Sequence, residues 1–263
     1  MKQMANIFTW LVCIQITFSQ TRNVKELDTN WKFQKGDFEN AFKINFDDSN
    51  WETVNVPHDW AIYGPFDKEI DKQNVAIVQN GEKVATEKTG RTGSLPHIGT
   101  AWYRNKFSLP ESVKDKKVIL LFEGAMSEPQ IHVNGQKVGE WAYGYSYFYF
   151  DVSKFLKVGE NTLAVKLTNK EFASRWYPGA GLYRKVSLIT KNKISINQWG
   201  TFITTPFISK ELAKVNVKTK ISGQNTKLVT TIFDGNGNEV ASHITQTLFG
   251  NEYDQNLKIN NPI

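Results

Sequence analysis

Ile131-His132-Val133-Asn134-Gly135-Gln136-Lys137-Val138 is the stretch on which the reading of the fold turns. Asn-Gly supplies the two positive φ angles that a type I′ turn requires, so these residues form a hairpin. Outward from it the period of the apolar pattern stays at two. Val118 to Phe122 is a buried run. Tyr145, Tyr147 and Tyr149 alternate with Ser146, Phe148 and Phe150, and Leu163, Val165 and Leu167 alternate with smaller or polar partners. All three segments read as strands. Gly159-Glu160-Asn161 and Asp234-Gly235-Asn236-Gly237 read as further turns. No amphipathic helix of ordinary length is visible past residue 20, so the class is all-β, built from packed sandwiches.

The chain has 263 residues, 40% of them hydrophobic and 13% aromatic, which is more apolar material than one compact domain needs. Two domains are expected. A boundary falls near Lys191-Asn192-Lys193, where an aromatic-rich part gives way to a threonine-rich one in which Trp199 is the sole tryptophan. This sets one sandwich at 20–190 and a second at 191–263. The second alternates at Val215, Val217, Thr219 and Ile221, then from Leu228 to Phe233, in the manner of an immunoglobulin-like sandwich. Such domains need about 100 residues. With 73 remaining, this one is expected to be truncated and to expose a strand edge. Between Gly64 and Thr100 lies a glycine-containing, largely polar segment, expected to be a long loop that is functional or mobile. It leads into Ala101-Trp102-Tyr103-Arg104-Asn105-Lys106-Phe107, a strand whose Trp102 enters the core.

The formal net charge of +6 is spread over scattered lysines and arginines, with no basic stripe. That pattern describes a solvated surface and argues against a nucleic-acid partner. Met1 to Ser19 has Lys2 near its start, an apolar stretch from Ile7 to Phe18 and a small residue before Gln20. It reads as a secretory signal peptide, too short for membrane insertion, so the protein is expected to be exported to a periplasmic or extracellular location. Cys13 is the only cysteine and lies inside that stretch, which leaves no thiol for disulfides or catalysis in the mature chain. Lipid modification of Cys13 is the alternative, though Trp10-Leu11-Val12 lacks the small residues such a site uses. His58, His97, His132 and His243 show no metal-ligand spacing. No nucleophile elbow, phosphate-binding loop or dinucleotide fingerprint is present, so no cofactor is expected.

Ser174-Arg175-Trp176-Tyr177-Pro178-Gly179-Ala180-Gly181-Leu182-Tyr183-Arg184 combines basic, aromatic and glycine residues in one short span. An aromatic face stacks on a pyranose, a guanidinium donates several fixed hydrogen bonds, and glycines allow close backbone approach. This suits a sugar-facing loop. It equally suits a hairpin corner whose aromatics plug a core.

Together these landmarks resemble the start of glycoside hydrolase family 2, which includes β-galactosidases and β-glucuronidases. The pieces that carry the resemblance are Val56-Pro57-His58-Asp59-Trp60 with Gly64-Pro65-Phe66, Ala101-Trp102-Tyr103-Arg104, Phe122-Glu123-Gly124-Ala125-Met126, Val133-Asn134-Gly135, Gly159-Glu160-Asn161-Thr162-Leu163, and Ser174 to Arg184. Their form looks more like the β-galactosidase branch. The resemblance implies a jelly-roll (galactose-binding-like) sandwich, an immunoglobulin-like sandwich and a TIM barrel that carries both catalytic glutamates. This chain would cover the first two, and Asn261-Pro262-Ile263 looks like the opening of a motif inside the second. No catalytic residue is assigned. Asn238-Glu239 and Asn251-Glu252 have the dipeptide form of the family's acid/base glutamate, but the first follows a glycine-rich hairpin and the second lies in a polar tail.

The remaining candidates are sugar contacts. Arg175 is the first: in relatives the loop carrying this arginine reaches the mouth of the barrel, while the competing role is a carboxylate pair across a domain interface. Trp176 is either a stacking wall or a core plug. His58 and Asp59 could hold sugar hydroxyls. Alternatively, Asp59 accepts backbone N–H groups while Trp60 anchors the loop. Asn169 could contact a hydroxyl or cap a turn. The implied partners are a β-glycoside carbohydrate, the catalytic barrel of the same polypeptide and, in relatives, further copies in a homo-oligomer.

Overall fold

A computed structural model describes residues 22–63, 69, 72–89, 99–170 and 179–262. Its first strands are β1 (Arg22–Glu26), β2 (Trp31–Lys35), β3 (Glu52–Val54), β4 (Lys72–Val75), β5 (Thr86–Thr89) and β6 (Gly99–Leu109). Next come β7 (Lys116–Phe122), β8 (Gln130–Val133), β9 (Gln136–Glu140), β10 (Phe148–Asp151), β11 (Gly159–Asn169) and β12 (Val186–Asn192). The last are β13 (Ser195–Ile208), β14 (Leu212–Ser222), β15 (Thr226–Phe233), β16 (Glu239–Thr247) and β17 (Glu252–Asn260). Among the described residues the helical pieces are three 3₁₀ turns of three residues each. The chain is all-β, as its periodicity implies.

Two antiparallel sheets, in the orders β1-β12-β7-β10 and β3-β2-β6-β11-β8-β9, face each other as a sandwich. The period-two pattern decides what lies between them. Val118, Leu120 and Phe122 of β7 and Val186 and Leu188 of β12 meet Trp31, Phe33, Tyr103, Leu163, Val165 and Leu167 from the other sheet. Burying each large apolar side chain contributes about 1.5–3 kcal/mol, which makes this layer the main source of stability. β11 is buried on its other face too. There Ala164 packs with Ala41, Trp51 and Trp102, so Trp102 is a core residue of a second, outer cluster. Arg104 lies on the same face and is 1% exposed. Its Nε donates to Asp48 Oδ2 at 2.6 Å, its Nη1 to the Lys43 and Ala41 carbonyls, and its plane covers Phe46. A buried charge is tolerated because it is paired in this way.

The hairpin read from Asn134-Gly135 joins β8 to β9, with φ of 50° and 78° at the two turn residues. Asn134 also works through its side chain. Its Nδ2 donates to Phe155 O and Asn161 Oδ1, both at 2.8 Å, and its Oδ1 accepts the Thr162 amide at 3.0 Å. At Gly159-Glu160-Asn161, where a turn is expected, β11 has already begun. Asn161 instead closes the preceding corner by bonding both the N–H and the carbonyl of Lys157.

Two further expectations need correction. Tyr145 and Tyr147 lie outside any strand, and β10 starts only at Phe148. The reason is the partner: Phe148 pairs with Phe122, the last residue of β7, and a strand cannot extend past the ladder that satisfies it. The segment between Gly64 and Thr100 is not wholly loop either, since β4 and β5 pair as a hairpin from Lys72↔Thr89 to Val75↔Thr86.

β13, β14 and β17 form a three-stranded antiparallel sheet, and β15 and β16 a two-stranded one. Val215, Val217 and Leu257 of the first are joined by Ile232 and Ala241 of the second. Fully buried Gln255 links the two sheets: its Nε2 reaches Leu228 O at 3.2 Å and Thr245 Oγ1 at 3.0 Å, and its Oε1 accepts from Thr230 Oγ1. Phe202, Ile203, Phe207 and Ile208 of β13 remain exposed.

Candidate functional site

Arg175 and Trp176 lie in 171–178, outside the described residues. Gly179 to Arg184 are described, and they meet two other pieces of the sequence that carry chemistry. The His58 amide donates to Leu182 O at 2.8 Å and the Trp60 amide to Ala180 O at 2.9 Å. On its other side Gly181 exchanges two backbone bonds of 2.9 Å with Met126. Tyr183 donates its hydroxyl to Gly144 O at 2.8 Å. Three separate segments, 56–61, 122–126 and 179–185, are therefore knitted into one rim.

Asp59 is the staple of that rim. Its Oδ1 accepts the Ala61 amide at 2.8 Å and the Ala180 amide at 3.0 Å, so one oxygen holds its own turn and the partner segment together. This is the backbone-accepting role weighed from the sequence. Trp60 is the anchor beneath it, buried and stacked on Phe33 at 5.6 Å. Replacing Asp59 by alanine strips a buried acceptor from two N–H groups and should cost about 1–3 kcal/mol. Thermal unfolding measures it: a midpoint unchanged by Asp59→Ala would remove the staple role.

His58 faces a cleft of about 530 Å³ whose walls include Phe33, Lys35, Glu52, Trp60 and exposed Tyr63. Its Nδ1 lies 2.7 Å from the Tyr103 hydroxyl. Burial pushes the His58 pKa down, Glu52 and Asp59 oppose that, and Lys35 adds to it, so the ring is neutral at pH 7. Burial likewise holds the Tyr103 phenol well above its ordinary pKa, against the Leu182 amide that favours its ionised form. Tyr103 therefore keeps its proton, and its hydroxyl has both His58 Nδ1 and, at 3.5 Å, His58 O within reach, so which ring nitrogen carries the hydrogen follows from the tautomer. In either tautomer a neutral imidazole offers one donor and one acceptor, and both kinds of group suit a sugar hydroxyl. Asn169 ends β11 opposite Gly99 and is buried. Glu239 and Glu252 are exposed strand-opening residues, and Glu252 pairs with Lys220 at 3.2 Å. Among the described residues no group of three or more His, Cys, Asp and Glu is placed to hold a metal.

Sequence reasoning read the glycines of 179–181 as a close backbone approach but did not bring Tyr103 and Met126 to them. The available signal was Gly179-Ala180-Gly181, whose small residues mark a close backbone approach without naming the partner.

Residues 24–192 match the family model described as glycosyl hydrolases family 2, sugar binding domain. The chain belongs to glycoside hydrolase family 2. This family 2 chain is 30% identical to β-galactosidase BoGH2A of Bacteroides ovatus over 236 residues, 87% of this chain and 26% of that protein. It is also 30% identical to a β-glucuronidase of Formosa agariphila over 254 residues, 86% of this chain and 24% of the relative. Among solved structures, a family 2 member from Bacteroides cellulosilyticus superposes with a TM-score of 0.73 at 30% identity, covering 91% of this chain and 31% of the other. The family 2 chain thus spans about a quarter of the length of the relatives it matches. Carbohydrate binding is the property that its matched domain carries by description.

Proposed function

We propose that this chain is the amino-terminal, non-catalytic part of an exported family 2 hydrolase that releases terminal β-linked galactose. In this reading a jelly-roll domain at 20–190 and an immunoglobulin-like domain at 191–263 support a barrel that supplies both glutamates. The chemistry is double displacement, which needs two carboxyl groups about 5–5.5 Å apart, one as nucleophile and one as acid/base. The observation that carries the proposal is the rim described above. His58, Asp59 and the segment leading out of Arg175 and Trp176 are tied together by backbone bonds and by the Asp59 carboxylate, which is how a fold pre-sets one wall of a sugar site.

Magnitude separates the wall from the enzyme. A hydrogen bond to a charged group contributes about 1.5–3 kcal/mol, whereas enzymes lower barriers by about 8–23 kcal/mol. Contacts from this part complete a site and do not drive the reaction. The Formosa agariphila relative supports a second reading, in which the sugar released is glucuronic acid. The test is hydrolysis of aryl β-galactoside and aryl β-glucuronide by the complete protein and by residues 20–263 alone. The expected result is galactoside turnover by the complete protein and none by residues 20–263. Preference for the glucuronide would replace the substrate, and turnover by residues 20–263 would overturn the non-catalytic assignment. A complete protein with no barrel, binding galactose without cleaving it, would make this a lectin.

A further inference from the structure

The strand register sets three cations in a row. Arg22 of β1 lies opposite Lys191 of β12, and Lys191 lies opposite Lys117 of β7, all on the outer face of the four-stranded sheet. Like charges directly opposite one another on neighbouring strands are destabilising, so such a row needs compensation. Lys117 has it, from Asp151 Oδ2 at 3.5 Å and Ser222 Oγ at 3.3 Å. Lys191 is 5% exposed, yet among the described residues its hydrogen bonding amounts to one contact, with Ile196 O at 2.7 Å. An ammonium has three donors, and a buried one with a single neutral acceptor is under-satisfied. Arg22 has no acidic partner among the described residues. Burial lowers the Lys191 pKa, Lys117 and Arg22 lower it further, and Asp151 opposes them.

Arg22 and Lys191 of this row line a cleft of about 600 Å³, within the size range of small-molecule sites. Its far wall is the bulge of β13 between Ile196 and Thr201. That bulge presents Trp199, 58% exposed, with φ of 52° and with its indole held edge-on by Tyr149 at 5.0 Å and Tyr147 at 6.3 Å. Asn192, Asn197 and Gln198 add amides to the lining. Ser195 Oγ, also in the lining, is buried without a hydrogen-bond partner. Two cations, three amides and a braced aromatic lining one cleft are the complement of one kind of ligand: a ring with hydroxyls and a negative charge.

We propose that this cleft is a carbohydrate-binding site for an anionic sugar unit, carboxylated or sulfated. The anion sits on Arg22 and Lys191 and the sugar ring lies against Trp199. The site rests on the register of β1, β12 and β7 and on the β13 bulge, and is independent of the His58 rim and of which bond the complete protein cleaves.

The test is calorimetric titration of the full chain at low ionic strength with methyl β-glucuronide, galactose 6-sulfate, methyl β-glucoside and sodium sulfate. The anionic sugars should bind at least tenfold more tightly than the neutral glucoside. Lys191→Met and Arg22→Gln should each weaken them at least fivefold, and Trp199→Ala should weaken both sugars while leaving sulfate unchanged. Arg22 is an exposed residue, so Arg22→Gln reports on binding even if Lys191→Met fails to fold. Absence of binding, equal binding of the neutral glucoside, or binding untouched by Arg22→Gln would overturn the proposal. Sulfate binding as tightly as the sugars with no effect of Trp199→Ala would reduce the cleft to a simple anion site and overturn its sugar specificity.

Discussion

Gly181→Val should lower the thermal midpoint of the chain by about 10 °C, the largest stability loss expected from any single change in the rim. Two effects add. Gly181 has φ of +140°, where a β-branched residue is strained, at about 1–3 kcal/mol. A Cβ there would also lie 2.2 Å from His58 O and 2.9 Å from the Tyr103 hydroxyl. Forcing atoms into a filled space costs about another 1–3 kcal/mol when the surroundings can move. Here they are held. His58 is tied to Leu182 through its amide, Gly181 is tied to Met126 by two bonds, and Tyr103 is wholly buried among Trp31, Phe33 and Trp60. Gly81 supplies the control, because its φ is +79° but a Cβ would meet nothing within 4 Å. Gly81→Val should therefore show the backbone strain alone. Equal midpoints for the two variants would mean that the rim yields where its hydrogen bonds say it is rigid.

What could be read in advance follows the range of the interaction that sets it. The Asn134-Gly135 turn was legible because its cause is local: two positive φ angles need those two residues. Runs such as Val118 to Phe122 were legible because burial on a sheet leaves a period of two. The start of β10 was not, since the alternation at Tyr145 and Tyr147 continues past the point where β7 stops offering a partner. The β4–β5 hairpin hid for the opposite reason, its residues being polar enough to read as loop. In the rim, His58 and Asp59 were identified from type and neighbourhood, but their contact with Ala180 and Leu182 is a long-range event that no local pattern encodes. The cation row was invisible for the same reason. Arg22, Lys117 and Lys191 are scattered along the chain and become neighbours only through strand register.

Arg175→Ala, made in the complete protein, should lower kcat/KM for its glycoside by about 10- to 100-fold with the thermal midpoint unchanged. The expected size follows from chemistry. A guanidinium presents five donors in a rigid fork, and loss of one charge-assisted hydrogen bond, about 1.5–3 kcal/mol, converts at about 1.4 kcal/mol per tenfold into that range. The unchanged midpoint is what distinguishes contact from structure. Arg175 precedes Gly179 by four residues, and from Ala180 onward the chain is anchored by bonds to Asp59, Trp60 and Met126 that do not involve the arginine. The fold of the rim thus has its own supports, so removing a ligand contact from its leading segment should leave stability alone. An arginine that instead bridges a domain interface would behave the other way, with the midpoint falling and kcat/KM following only through the fraction unfolded. Arg175→Lys sharpens the distinction: a lysine keeps the charge but not the fork, so it should restore stability in the interface case and less than half of the lost activity, in energy terms, in the contact case.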